Sequence, residues 1–261
     1  MGKNLWGEIK FDDEWVVDES LGNLHFWMRK HGEEFWIAHL LEEYEITERK
    51  PKKPEDLEWS RWALNNSRNT LTLKPVFPDL PLMVHSEYML RLNHGSKIQI
   101  FTRIPLWIRI SVEQKGKEYI LKELPTVPMS KTWFGSPMVG ETCYWSSTKA
   151  RRSLPAEIYR PHLINCPIWI TNKSNEDLDF EKFCYRVERL SIYQYKDQLW
   201  ADETDIVYQG EELNSEITMT GKLPENIKNA RLITPPRKRI HKSFSTQTFK
   251  RFFDDTPLLG R

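Results

Sequence analysis

The chain has 261 residues, a formal net charge of +1 from 38 Lys+Arg against 37 Asp+Glu, and an aromatic stock of 11 Trp, 9 Tyr and 12 Phe. That stock excludes a disordered chain, while 11 Gly and 3 Cys exclude collagen-like and disulfide-scaffold classes. The small net charge argues against a surface built throughout for nucleic acid.

In chain order, Leu24, Phe26 and Met28 alternate with other residues, His31-Gly32 supplies a turn and Phe35-Trp36-Ile37 follows, which predicts a hairpin. A helix over Glu33–Tyr44 competes with it, because Trp36, Leu40 and Tyr44 recur at i, i+4 and i+8. Glu48 to Asp56 is a polar run with two prolines and predicts a solvated loop. Short apolar runs rich in β-branched and aromatic residues come next: Thr70–Leu73, Ile98–Ile104, Leu106–Val112, Tyr119–Leu124, Glu141–Ser146, Pro167–Thr171 and Phe183–Tyr195. Their length and spacing predict an antiparallel β-sandwich with few short helices, either one large sandwich or two immunoglobulin-like lobes. No βαβ alternation favours a doubly wound fold. Leu90–Phe101 and Ile168–Phe180 read as one device used twice: a strand, an Asn/Ser-containing turn and a returning strand. A body over residues 1–230, with a sub-boundary near 125–135, and a tail over 231–261 are expected.

The tail is electrically distinct. From Arg237 to Arg251 there are six cations (Arg237, Lys238, Arg239, Lys242, Lys250, Arg251) and no acid, which leaves the other residues at −5. As a helix, Ser243–Phe253 would place Phe249, Phe252 and Phe253 on one side, with Lys250 and Arg251 turned away. Such a segment suits a membrane surface or a groove on a partner protein. A nucleic-acid arm is disfavoured by the acidic body. Alternatively the phenylalanines pack back on the body.

Ser130 to Arg152 is the candidate small-ligand region. Trp133 offers an aromatic wall, Glu141 a polar anchor, and Arg151 or Arg152 a fork for an anion. The competing structural account has Gly135 and Gly140 making a tight connection and the tryptophans filling core. His85, Glu87 and His94 form a metal candidate if a hairpin brings them together. Motifs of serine hydrolases, phosphate loops, dinucleotide sites and zincins are missing, so no catalytic residues are assigned and no cofactor is expected. Cys143, Cys166 and Cys184 are widely spaced and expected to be reduced and buried. Asn65 and Asn172 head glycosylation-type triplets and are read only as turns. No apolar run approaches the roughly 18 residues of a membrane-spanning helix, and the opening residues show no leader pattern, so a cytoplasmic setting is expected.

Four stretches carry a family resemblance: Phe77-Pro-Asp-Leu-Pro-Leu-Met-Val84; Leu90 to Ile110, ending Ile104-Pro-Leu-Trp-Ile-Arg-Ile110; Lys131-Thr-Trp-Phe-Gly-Ser-Pro-Met-Val-Gly-Glu-Thr-Cys-Tyr144; and Cys166 through Tyr193. Together they resemble a prokaryotic, mainly archaeal family known as domain of unknown function 432, over roughly residues 70 to 240. The resemblance implies no activity, cofactor or catalytic residues. Through an association with small-conductance mechanosensitive channels, it implies an accessory protein peripheral to a membrane complex. The sequence thus leads to a non-catalytic cytoplasmic binding or assembly module with a protein partner. An enzyme or ligand binder using Trp133–Arg152 and a nucleic-acid binder using the tail are the competing classes.

Overall fold

A computed structural model describes residues 5–12, 16–44, 56–64, 69–154, 160–210, 214–238, 243–246 and 248–250. Along the chain the strands are β1 (Gly7–Lys10), β2 (Val16–Leu21), β3 (Leu24–His31), β4 (Glu34–Leu41), β5 (Ser60–Ala63), β6 (Thr70–Val76), β7 (Leu82–Leu92), β8 (Lys97–Pro105), β9 (Trp107–Gln114), β10 (Lys117–Pro125) and β11 (Ser130–Phe134). They continue as β12 (Glu141–Arg151), β13 (Leu163–Asn172), β14 (Leu178–Tyr185), β15 (Ile192–Tyr195), β16 (Gln198–Ala201), β17 (Thr204–Tyr208), β18 (Ser215–Met219), β19 (Arg231–Thr234), β20 (Ser243–Thr246) and β21 (Phe249–Lys250). Helical geometry among the described residues is confined to 3-10 geometry at Asp56 and the 3-10 turns at Val187–Arg189 and Glu225–Ile227. The protein is therefore mainly β, and no helix among the described residues is long and apolar enough to cross a membrane. The chain divides into two compact units, one over residues 1–76, 105–128 and 160–163, the other over 77–104, 129–159 and 164–261.

The first unit holds two antiparallel four-stranded sheets, β2-β3-β4-β5 and β1-β6-β9-β10. They touch through the rings of Phe11 and Phe35, 5.6 Å apart, and through a 3.0 Å bond from Lys122 Nζ to Ser60 Oγ, the layout of a sandwich. The predicted β3–β4 hairpin is present, pairing Leu24 with Leu41 through His31 with Glu34. The competing helix over Glu33–Tyr44 is not formed. Burial explains why: Phe35 and Ile37, two apart, are fully buried, whereas Tyr44 of the helical stripe is exposed. On the same sheet Arg29 and Arg61 flank Trp36 in one cross-strand row, with guanidinium carbons 4.2 and 3.9 Å from its ring centroid.

The second unit is built on a mixed sheet, β19-β15-β16-β13-β8-β12-β7-β14-β21, with β11, β17, β18 and β20 joined off that path. The sequence anticipated antiparallel pairing, and most pairs are. However, β12 runs parallel to β7, and β13 parallel to β16 and β17. The two strand-turn-strand devices do not close on themselves. Instead they exchange strands, β7 pairing with β14 and β8 lying beside β13. Their turns meet: Gly95 N donates to Asn172 O and Asn172 N to Ser96 O, each at 2.9 Å. The buried Asn172 side chain donates to Leu92 O and Glu176 O and accepts from Ser174, so its amide is used at both ends. The run Phe183–Tyr195 is interrupted by the Val187–Arg189 turn and becomes two strands, β14 and β15.

The described part of the tail is extended, not helical. β20 pairs with β18 and β21 with β14, so its backbone bonds go to the sheet. Phe249, 8% exposed, sits among Phe180, Phe183 and Tyr208 at ring distances of 4.9, 6.2 and 5.8 Å.

Candidate functional site

β11 and β12 form a hairpin with Ser130 opposite Trp145 and Phe134 opposite Glu141. Alternation puts Phe134 and Cys143 on the inner face, where they pack with Met83 and Cys184. Residues 135–140 connect the strands, and Gly135 adopts φ +103°, a left-handed value that glycine allows without strain. The carbonyl of Ser136 organises this connection. It accepts from Gly140 N at 2.8 Å, Val139 N at 3.3 Å and the Trp133 indole N–H at 3.0 Å, and Ser136 Oγ also accepts from Val139 N at 3.3 Å.

The indole of Trp133 lies directly over Gly140, where an added Cβ would be 2.3 Å from Trp133 Nε1 and 2.6 Å from Phe134 O. This closed turn holds Met138 and Val139 outward, 92% and 82% exposed, above a Trp133 that is 51% exposed. Burying a side chain of this size stabilises by about 1.5–3 kcal/mol, so the tip retains apolar burial that folding has not used.

Where the connection rejoins β12 the hairpin is polar and tied to the tail. Arg186, 3% exposed, donates to the Glu141 carboxylate, to Thr246 Oγ1 of β20 at 2.9 Å and to Cys184 O at 3.1 Å. Arg189 lies 4.1 Å from the Phe244 ring, and Lys238 Nζ lies 3.6 Å from the Glu188 carboxylate, whose pKa burial raises. Tyr144 donates to Asp79 at 3.0 Å; its phenol is pushed up to about 12, chiefly by burial and then by that carboxylate. Cys143 and Cys184 are both fully buried, and a hydrogen bond between their thiols lowers the pKa of Cys143 and raises that of Cys184.

The model of a family described as protein of unknown function (DUF432) matches residues 5–254. The chain belongs to this family. No curated protein and no solved structure matches the chain. The match takes in the whole hairpin and every described strand, including β20 and β21.

Of the residues selected from sequence for a small ligand, Trp133 stands on β11 and Glu141 at the start of β12, opposite Phe134, where Arg186 holds it. Arg151 and Arg152 are at the opposite end of β12, ten residues on, roughly 33 Å at the rise of a strand. Arg151 pairs with Glu87 at 2.8 Å and Arg152 donates to Gln99 O at 3.1 Å, so the structure does not bring the four residues together. The metal candidates are separated as well. His85 accepts from the Trp145 indole at 3.3 Å and has its pKa lowered, mainly by burial; Glu87 is held by Arg151; His94, in the β7–β8 turn, bonds Ser174 O. No trio of His, Cys, Asp or Glu among the described residues is placed to hold a metal ion.

In the tail, Arg237 Nε donates to Phe77 O, Lys238 meets Glu188, Phe249 is buried, and Lys250 lies opposite Lys182 in β21. Arg239, Lys242, Arg251, Phe252 and Phe253 lie outside the described residues, as do Asn65 and all but the last residue of the Glu48–Asp56 loop. Sequence reasoning did not single out Met138 and Val139. The available signal was Pro-Met-Val in the middle of a Gly-bounded turn, where apolar side chains have no strand alternation to carry them inward.

Proposed function

We propose that the protein is a non-catalytic docking module whose contact element is the tip of the β11–β12 hairpin. One observation carries this reading: Met138 and Val139 are nearly fully exposed on a turn whose own hydrogen bonds fix them outward. Exposed apolar groups held rigidly lose little conformational freedom on binding, so most of their burial contributes to affinity. The absence of convergence among Trp133, Glu141, Arg151 and Arg152 gives a small-ligand function no geometric support. A cytoplasmic setting is part of the proposal, supported by three buried, unbridged thiols, Cys143, Cys166 and Cys184. The test is a photo-reactive residue placed in living cells at position 138, with position 197, in an exposed polar turn, as the control. Adducts at 138 that are not formed at 197 support the assignment. Equal labelling, or no adduct at 138, overturns it.

A further inference from the structure

Resting on that reading, we infer that the hairpin tip docks on a lipid bilayer, entering the boundary between headgroups and acyl chains of a membrane that contains anionic lipid. Three observations select this occupant. The first is size. A standard protein interface takes roughly 20–30 residues from each side, whereas this protrusion offers two exposed apolar side chains and a half-exposed indole. Shallow insertion needs no more than a few such groups, each contributing through apolar area moved out of water.

The second is hydrogen bonding. A backbone amide entering the acyl boundary without a partner is costly. Here the N–H groups of Val139 and Gly140 are both bonded to Ser136, Pro137 has none, and the Trp133 indole N–H is bonded to the same carbonyl, so of residues 137–140 only Met138 brings an N–H without a bond inside the turn. Trp133 stands behind the tip with an apolar ring and a polar edge, the residue type that favours a membrane–water boundary.

The third is charge. Lys131 is exposed on the same face of β11 as Trp133, two residues behind it. Where the tail meets the hairpin, Arg189, Arg237 and Lys238 are gathered by the Phe244 ring, Phe77 O and Glu188, and the Lys238 side chain is 54% exposed, whereas the buried Arg186 is neutralised by Glu141. With Lys131 these cations outnumber the nearby carboxylates of Glu188 and Asp79. An apolar point over a cationic base complements anionic headgroups.

The experiment is flotation of the full-length protein with vesicles of phosphatidylcholine alone and of phosphatidylcholine with phosphatidylserine. It compares the unaltered protein with Met138→Ser/Val139→Ser and with Met138→Leu/Val139→Ile. Because both side chains are exposed, all three should share one circular-dichroism spectrum and melting temperature. The expected result is flotation with the mixed vesicles, weakened by salt, cut at least roughly 30-fold in the Ser/Ser protein and retained in the Leu/Ile protein. Failure to float with either vesicle, or equal flotation of the Ser/Ser protein, overturns the lipid inference. Protein adducts at position 138 without vesicle binding would overturn it while leaving the docking role standing, the partner then being a protein or a second copy of the chain.

Discussion

Replacing Gly140 with alanine puts a Cβ 2.3 Å from Trp133 Nε1 and 2.6 Å from Phe134 O. The second neighbour is backbone in a paired strand and cannot swing aside, so the turn must open or the indole must leave. Overpacking of this kind costs about 1–3 kcal/mol, and losing the indole bond to Ser136 O adds about 1 kcal/mol. The expected total is about 2–4 kcal/mol, concentrated in the hairpin. Urea unfolding followed by circular dichroism measures the loss, and hydrogen exchange at the Val139 and Gly140 amides reports whether the turn has opened. Gly116→Ala supplies the comparison. Its Cβ would meet nothing within 4 Å, so its φ of +75° leaves only a left-handed backbone cost of about 1 kcal/mol. If Gly140→Ala were no less stable than Gly116→Ala and its two amides exchanged as in the unaltered protein, the packed-turn account of the exposed tip would be refuted.

Three further outcomes follow from the second unit. Arg186→Met should destabilise by about 2–3 kcal/mol in urea, because bonds to Glu141, Thr246 and Cys184 O are lost while the part-exposed Glu141 can still hydrate. The same variant should speed proteolysis near β20; unchanged cleavage there would contradict the clamp. Phe249→Ala should cost about 3–5 kcal/mol by emptying the space among Phe180, Phe183 and Tyr208, and a loss under 1 kcal/mol would mean the tail does not pack as described. Burial pushes the Asp202 carboxyl up to about 6 from an ordinary 3.8, despite the Ser191 N–H it accepts. The folded state therefore binds this proton more tightly than the unfolded one, and stability from this group rises as pH falls from about 7 to 4, by on the order of 2–3 kcal/mol. Asp202→Asn should lose that rise, read as urea midpoints at pH 7 and 4.5; identical pH slopes would contradict it.

The parts of the fold legible in sequence are those in which a strand and its neighbour follow one another. Leu24–His31 and Glu34–Leu41 pair across a short turn, so alternation at Leu24, Phe26 and Met28 with a turn at His31-Gly32 suggested the hairpin, while the burial of Phe35 and Ile37 decided it against the competing helix. The exchange of partners between β7–β8 and β13–β14 depends on contacts such as Asn172 to Leu92, 80 residues apart, which no local pattern encodes. β7 itself was obscured because its pairing with β14 skips from His85 to Leu90, and this bulge breaks the alternation through Tyr88 and Met89. In the tail, the spacing of Phe249, Phe252 and Phe253 fits a helix, but at Phe249 the choice is made by pairing with β14 and by three aromatic neighbours. At the candidate site, composition drew attention to the Trp133–Arg152 region, but an extended β12 sends its two ends apart. The arginines that looked available for an anion already serve Glu87 and the Gln99 carbonyl.

The central claim, that the hairpin tip is covered when the protein works, is tested most directly by the oxidation rate of Met138 in intact cells and in purified protein. A thioether this exposed oxidises readily when free in solution. Docking through the tip predicts slow oxidation at Met138 in cells, restored to the fast rate on purification, with exposed Met89 on β7 unchanged between the two. Equal Met138 rates in cells and in solution would contradict the account.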